Sequence, residues 1–453
     1  MLEGLETSLL ILLIVSVILV ITFEFINGFH DTANAVATVI YTKTLPPRTA
    51  VVLSAFLNFS GVFLGGIGVA IGIINLLPTD ALLQDDIWLG MAMILALLAS
   101  AIVWNFSTWY LGIPSSSSHT LIGAILGVGI AYSGIGGVNW MKASEVGLSL
   151  LLSPLIGLSF AALLIALLRK TVKNQKIFEA PDGDTPPPAW IRAILILTCS
   201  GVSFSHGSND GQKGVGLLML VLIGVLPTYY ALNPEYSIKD YQNAFEIFKE
   251  KMEIVGKDYP KTTFDNIQGE IGSLNVFLIK ESLDKKEIKE VRRSIIKLEK
   301  KFKEIYKKEP SSEKKLKTVL SDFKKKTTDY APTWVIIAIA TSLGVGTMVG
   351  WRRIVVTIGE KIGKQLLTYA QGASAELIAT MTIGFSSFIY SLPVSTTHIL
   401  SSGVAGTMIA SNGLKNLQKS TVRSIALAWL LTLPVSIGLS ITFFNIFRLL
   451  LVG

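Results

Sequence analysis

Charge is scarce in this chain, and cysteine is almost absent from it. Asp, Glu, Lys and Arg make up 16% of its 453 residues, whereas hydrophobic residues make up 50% and the mean hydropathy is +0.55. This balance excludes an ordinary soluble globular protein and favours a chain whose main solvent is lipid. The single cysteine, Cys199, excludes an intramolecular disulfide and gives no indication of redox chemistry.

The beginning of the chain lacks the features of a cleaved leader. Its first six residues carry no cation, and the apolar run that follows leads into polar residues without a small-residue cleavage pattern. We interpret this run as a retained first membrane helix. Further apolar stretches long enough to cross a bilayer predict a multi-pass protein of the cell (inner) membrane, with the lipid bilayer as a partner. The large apolar surface also permits a homodimer.

Most of the charge is concentrated in one window. Residues 229–330 hold 23 of the 40 Lys and Arg, and 18 of the 32 Asp and Glu. Apolar residues recur there at helical spacing, as at Val291, Ile295 and Leu298. We predict a small soluble helical insert on the cytoplasmic side, whose lysines form a solvated surface and do not bind nucleic acid.

Two pairs of polar segments, set in apolar sequence, indicate that the chain is internally duplicated. Residues 27–36 align with 206–215, and residues 114–119 (Pro-Ser-Ser-Ser-Ser-His) align with 393–398 (Pro-Val-Ser-Thr-Thr-His). Each pair keeps identical residues at several matched places, and the order of the two kinds of segment is the same in both halves. The chain is therefore read as two copies of one unit.

The distances between the segments locate the insertion. Gly28 and Pro114 are 86 residues apart, whereas Gly207 and Pro393 are 186 apart, so the charged window accounts for the difference of 100. Duplicated halves, often inverted around a central substrate site, are typical of secondary transporters. We predict an all-α polytopic membrane protein with two inverted repeats and broken or re-entrant helices. The expected segments are the first repeat, a connecting loop, the start of the second repeat, the insert and the remainder of the second repeat: 1–170, 171–188, 189–228, 229–330 and 331–453.

Asp31 and Asp210 hold equivalent places in the first pair of segments. An ionisable side chain at membrane depth is costly unless it is paired, protonated or bound to a cation, so these aspartates predict a cation site that suits Na+. The Gly and Asn residues around them fit a helix that unwinds locally and exposes carbonyl oxygens to a hard cation. The other predicted cation ligands are Asn27, Asn34, Ser205 and Asn209.

The second pair of segments predicts an anion site. Each segment begins an apolar stretch, so its hydroxyls lie in the first turn of a helix, where free N–H groups attract anions. The alternative is that the hydroxyls satisfy their own backbone. Two facing helix starts, each rich in donors, would suit an oxyanion. The predicted anion-binding residues are Ser115, Ser116, Ser117, Ser118, Thr120, Ser395, Thr396, Thr397, Asn105 and Gln212.

Histidines and buried acids supply further candidates. All four histidines fall inside the motif segments, either as ligands and proton carriers or as groups that satisfy a helix end: His30, His119, His206 and His398. Glu24, Asn58 and Glu376 are polar groups in apolar sequence, and each belongs either to the site or to helix packing. Glu376 is also a candidate for a proton-carrying or structural role.

These features combine into a coupled mechanism. Two carboxylates would repel an anion held between helix ends unless a cation neutralised them, so anion and cation would bind interdependently. Such coupling gives symport by alternating access, with the cation as the co-transported ion and no other cofactor. The oxygen-rich set around Asp31 and Asp210 favours Na+, while His30 and His206 keep H+ open. The donors by themselves do not distinguish one oxyanion from another as the cargo.

Taken together, the four segments resemble the signature motifs of the inorganic phosphate transporter (PiT) family, in its bacterial branch. The similarity extends in order over residues 20–445. It implies symport of inorganic phosphate with Na+ or H+ and a transport core at the centre of an inverted repeat. Sulfate remains an alternative cargo, because both tetrahedral oxyanions suit the same donors. The sequence departs from many members in two places: His30 stands where they have Asn, and Asn58 stands where animal members carry Glu, which puts a cation role at Asn58 in doubt.

A serine hydrolase inside the membrane is the alternative from another class, because Ser, His and Asp all occur in the motifs. The sequence contains no Gly-x-Ser-x-Gly elbow, and a Ser next to a His at a helix start does not supply the geometry of a triad. We therefore interpret the chain as a transporter and not as an enzyme.

Overall fold

The computed structural model describes residues 6–77, 86–138, 140–183, 185–259 and 264–453. Most of the described residues are helical. The first half contains α1 (Thr7–Tyr41), α2 (Pro47–Leu64), α3 (Gly68–Ile74), α4 (Ile87–Tyr110), α5 (Ser117–Ser133) and α6 (Trp140–Thr171).

The second half continues with α7 (Ala189–Val225), the short α8 (Pro227–Tyr230) and four helices of the charged window. These four are α9 (Ile238–Gly256), α10 (Asp265–Leu278), α11 (Lys285–Lys308) and α12 (Glu313–Thr327). The half ends with α13 (Thr333–Met348), α14 (Arg352–Lys361), α15 (Tyr369–Tyr390), α16 (Thr396–Asn412) and α17 (Lys419–Leu451).

Several of these helices are long and apolar enough to cross a bilayer. Within the described residues there are seven by length and composition, or eight if α13 and α14, which meet at a bend of 57°, form one broken span. The predicted multi-pass membrane protein is thus confirmed. One apolar stretch, residues 51–77, is divided between α2 and the short α3.

The repeat is visible in the helices themselves. α1 and α7 are 35 and 37 residues long, and the hydroxyl segments start helices of 17 residues in both halves. The last helices, α6 and α17, are 32 and 33 residues long and each contains one internal proline, Pro154 and Pro434. Apart from α8 and the four helices of the charged window, the described helices of the two halves therefore follow the same order.

The last helix of each half packs on a helix of the other half: α6 packs on α16, and α17 packs on α5. Matched glycines permit both contacts. A Cβ atom at Gly406 would overlap the Leu158 carbonyl of α6, and one at Gly127 would lie 3.0 Å from Ile437 Cα of α17. Backbones approach closely at such small residues in membrane proteins.

The predicted local unwinding around Asp31 is not found. α1 runs through Gly28 and Asp31 without interruption, and the matched stretch of α7 forms one π-turn at Gly207–Gly211. The glycines serve close packing instead, because a Cβ at Gly28 would lie 2.8 Å from the Thr347 amide nitrogen and one at Gly207 would lie 2.9 Å from Asn58 Cα. The chain is broken instead at the hydroxyl segments, between α4 and α5 and between α15 and α16.

The described residues divide into two compact units. The first unit comprises the described residues within 1–13, 79–91 and 219–332, and the second comprises those within 14–78, 92–218 and 333–453. The predicted domain boundaries stay predictions. In the first unit, the helices of the charged window enclose a core that includes Phe245, Phe248 and Phe302. The periodic apolar residues of α11 face this core, and capping boxes at Ser237 and Asp284 begin α9 and α11.

Candidate functional site

The starts of α5 and α16 meet inside the second unit. Ser116 and Ser395 are the N-cap residues, and each accepts a hydrogen bond from the backbone N–H of the histidine three residues later, at 3.3 and 3.2 Å. Ser118 Oγ donates across the interface to the Val394 carbonyl at 2.7 Å. The rings of His119 and His398 lie 4.5 Å apart between centroids. The two hydroxyl segments thus face each other, as the sequence predicted.

The next hydroxyls in each segment donate to the two aspartates. Ser117 Oγ lies 2.9 Å from Asp31 Oδ2 and 3.3 Å from Asp210 Oδ2. Thr397 Oγ1 donates to Asp31 Oδ1 at 2.8 Å, and Thr396 Oγ1 lies 3.4 Å from Asp210 Oδ2. All five side chains are buried. These two predicted cation residues and three predicted anion residues therefore form one continuous cluster.

Two histidines line this cluster. His30 Nδ1 lies 2.9 Å from Asp31 Oδ1, and its Nε2 lies 3.2 Å from Thr108 Oγ1. His206 Nδ1 lies 2.8 Å from Asn58 Oδ1, which makes Nδ1 the donor, because the Asn58 amide nitrogen donates to Thr347. His206 Nε2 then faces the carboxylates of Asp210 and Asp31.

The distances around His206 Nε2 define the centre of the site. This nitrogen lies 3.5 Å from Asp210 Oδ2 and 3.9 Å from Asp31 Oδ2. One ligand atom from each of Asp31, His206 and Asp210 lies within 4.8 Å of the others. Two carboxylate oxygens and an imidazole nitrogen at this separation can hold a small cation or share a proton.

Lys213 is a member of the site that was not predicted from the sequence. Its side chain is fully buried, its Nζ lies 2.8 Å from Asp210 Oδ1, and it donates a hydrogen bond to Ser118 Oγ. The signal is present in the sequence, because Lys213 is a cation in an apolar helix and lies within the 206–215 motif segment. A site sought only among carboxylates, amides and hydroxyls leaves it out.

Other predicted residues lie around the centre without contacting the carboxylates. The Asn209 amide binds the loop before α16, donating to Leu392 O at 3.1 Å and accepting from the Val394 N–H at 3.2 Å. Ser115 pairs with Thr108 at 2.9 Å. The Asn105 amide is buried and, among the described residues, has no hydrogen-bond partner for either polar atom. Asn105 thus offers an unused donor one turn before Thr108.

Several further predicted residues contact their own helix or a neighbouring one in this structure. Thr120 donates to Ser116 O at 3.0 Å, Ser205 to Thr380 O at 3.3 Å, and Gln212 to Val62 O at 2.8 Å.

Glu376 accepts from Thr198 at 2.5 Å and from Thr38. Asn27 donates to Glu24 at 3.4 Å, and His398 also packs on Trp429 at 4.0 Å between centroids. The side chain of Asn34 lies outside the described residues.

Comparison with known proteins agrees with this architecture. The model of the "Phosphate transporter family" matches residues 27–440. The low-affinity inorganic phosphate transporter PitA of Escherichia coli (strain K12) is 43% identical, over 96% of this chain and 97% of that protein. A probable low-affinity inorganic phosphate transporter of Bacillus subtilis is 30% identical, over 94% and 95%. A solved structure titled "The sodium-dependent phosphate transporter" has a TM-score of 0.58 and 18% identity, covering 97% of this chain and 99% of that one.

Duplicated helices around a buried charged centre are typical of a membrane transporter. Within that class, the chain belongs to the phosphate transporter family. Its relatives are transporters, which confirms the interpretation as a transporter against the serine hydrolase.

Proposed function

We propose that this protein is a secondary active symporter that moves inorganic phosphate across the cell (inner) membrane together with a cation, by alternating access. Phosphate would bind between the starts of α5 and α16, and the cation would bind at Asp31 and Asp210. Na+ is favoured because the ligands are mainly carboxylate and hydroxyl oxygens. The family of the chain and the names of its relatives support phosphate as the cargo.

One observation supports coupled binding of phosphate and the cation. The hydroxyls of Ser117, Thr396 and Thr397 are all directed at the two carboxylates. A hydroxyl has one hydrogen, so a hydroxyl that donates to an aspartate cannot donate to an anion at the same time. A cation that occupies the carboxylate oxygens frees these donors for phosphate and removes the repulsion between phosphate and the aspartates. Each ligand thereby strengthens the binding of the other.

A proton is the second candidate for the coupling ion. His206 Nε2 lies between the carboxylates, and its Nδ1 is already engaged with Asn58. Protonation at Nε2 would neutralise the same oxygens that a Na+ ion would bind. Sulfate is disfavoured as the cargo, because phosphate can donate a hydrogen bond to a carboxylate whereas sulfate near neutral pH cannot.

Reconstituted vesicles provide the test. The purified full chain in proteoliposomes is supplied with radiolabelled phosphate, first with an inward Na+ gradient at equal pH and then with an inward H+ gradient without Na+. We expect accumulation above equilibrium with the Na+ gradient and little inhibition by excess sulfate. Accumulation with the H+ gradient alone would select the proton. Uptake that ignores both gradients would refute symport, with vesicles lacking protein as the control.

A further inference from the structure

We propose that the ammonium group of Lys213 is a resident cation of the second repeat. It neutralises Asp210 permanently, so phosphate is coupled to one cation fewer than the matched aspartates would otherwise bind. This inference rests on the proposed symport and specifies how many cations the site takes from solution.

The burial of Lys213 requires a partner of opposite charge. Lysine is almost never fully buried unless it is paired, and Lys213 is fully buried in a helix that spans the membrane. Its partners are Asp210 Oδ1 at 2.8 Å and the hydroxyl of Ser118. The ammonium therefore has a carboxylate oxygen and a hydroxyl oxygen as neighbours, which are the ligand types that a bound Na+ ion takes.

The repeat shows what Lys213 replaces. Aligning the halves matches Lys213 with Asn34, Asp210 with Asp31, and Ser118 with Thr397. In the first repeat, Thr397 donates directly to Asp31 Oδ1 at 2.8 Å. In the second repeat, the equivalent Ser118 donates to Val394 O instead and accepts from Lys213. The ammonium thus lies between a carboxylate and a hydroxyl that contact each other directly in the other half.

The remaining charge indicates where the exchangeable cation binds. Lys213 contacts Asp210 through Oδ1, whereas the Oδ2 atoms of both aspartates face His206 Nε2 and Ser117. Two carboxylates and one ammonium leave one net negative charge among these three side chains. A single monovalent cation at the Oδ2 atoms would neutralise it. Without the lysine, a second cation would be needed beside Asp210.

The test replaces Lys213 with the residue of the first repeat. Wild type, Lys213→Asn and Lys213→Arg are reconstituted as full chains, and uptake of radiolabelled phosphate is measured against Na+ concentration, with choline as the replacement. The charge moved per phosphate is measured on the same vesicles by electrical recording. Lys213→Arg is the matched control, because it keeps the positive charge.

For Lys213→Asn we expect uptake at low Na+ to fall by ~10-fold or more and to recover at high Na+, because an empty site now has to be filled. Its Hill coefficient for Na+ should rise by about one, and the positive charge moved per phosphate should rise by about one. Lys213→Arg should keep the wild-type values of both. If the wild type proves to be coupled to H+, the charge per phosphate is the deciding quantity.

The inference would be overturned if Lys213→Asn kept the Hill coefficient for Na+ and the charge moved per phosphate of the wild type. Symport itself would not be affected by that result. Wild-type uptake that depends on neither Na+ nor pH would instead refute the proposed function. Size-exclusion chromatography checks that each variant is folded. Should Lys213→Asn not be monodisperse, Lys213→Gln takes its place, because it is closer to lysine in length and carries the same expectation.

Discussion

Ser117 Oγ lies 2.9 Å from Asp31 Oδ2 and 3.3 Å from Asp210 Oδ2, so one hydroxyl at the start of α5 joins the carboxylates of both repeats. Because this hydroxyl has a single hydrogen, it can donate fully to one carboxylate at a time. The two aspartates are therefore linked through the residue that we expect to bind phosphate. A change at either carboxylate alters the donors that the anion meets.

Ser117→Ala should impair transport without unfolding the protein. We expect phosphate uptake at limiting concentration to fall by ~10-fold or more, because a preorganised donor to a buried anion is lost. Ser117→Thr, which keeps the hydroxyl, should retain most of the activity. Ser133 is the matched control on α5, since its hydroxyl donates to Gly129 O of its own helix at 2.9 Å. Equal uptake by Ser117→Ala and Ser133→Ala would contradict the assignment.

Asp210→Asn should destabilise the fold more than Asp31→Asn. The first change leaves the buried ammonium of Lys213 without its counter-charge, and breaking a buried ion pair costs about 3–5 kcal/mol. The second change leaves no lysine unpaired, while the repulsion between the carboxylates is relieved equally by both changes. Thermal unfolding of the two purified full-length variants in detergent, without phosphate, measures the difference. Equal shifts in melting temperature would show that Lys213 does not depend on Asp210.

The helix starts of this site could be predicted because the signal for each lies within a short stretch of sequence. A proline followed by hydroxyls before an apolar stretch indicates a helix start by itself, and Ser116 and Ser395 do cap α5 and α16. Matched copies then indicated that the two starts belong to one centre. Likewise, the spacing of Val291, Ile295 and Leu298 is sufficient to identify the buried face of α11.

The sequence could not indicate which side chains from different helices contact each other. Nothing local to Ser117 indicates that its hydroxyl meets Asp31 and Asp210, which lie 86 and 93 positions away. Gly28 illustrates the same limit. A glycine beside a membrane aspartate fits both an unwound helix and a close helix contact, and only the position of Thr347 on α13 decides for the contact.

Gly406→Ala should destabilise the membrane unit, because a methyl group there would overlap the Leu158 carbonyl where α16 packs on α6. Backbone atoms cannot move aside as a flexible side chain can, so we expect a loss of about 1–3 kcal/mol. Gly438→Ala on α17 is the control, since among the described residues no atom beyond its chain neighbours and its own helix backbone lies within 4 Å of the added Cβ. It should be neutral or slightly stabilising. Melting temperatures in detergent test the pair, and equal losses would contradict this account of the packing.

The charged window should lose stability in acid through Glu299. Burial raises the pKa of this carboxyl, but the ammonium groups of Lys324 and Lys303, at 2.6 and 2.9 Å, outweigh burial and hold the pKa at about 2, below the ordinary 4.5. A depressed pKa gives stability that is complete above pH 4.5 and is lost as the pH falls towards 2. The contribution is on the order of 3 kcal/mol.

Hydrogen exchange of α11 and α12 in the full chain measures this loss. Protection should fall between pH 5 and pH 2 in the wild type, after correction for the intrinsic exchange rate. Glu299→Gln should show lower protection at neutral pH and a smaller change over the same interval. Glu313→Gln is the control, because Glu313 and Lys317 form an exposed pair whose contribution is small. If the two variants respond alike, Glu299 does not govern the acid sensitivity of the window.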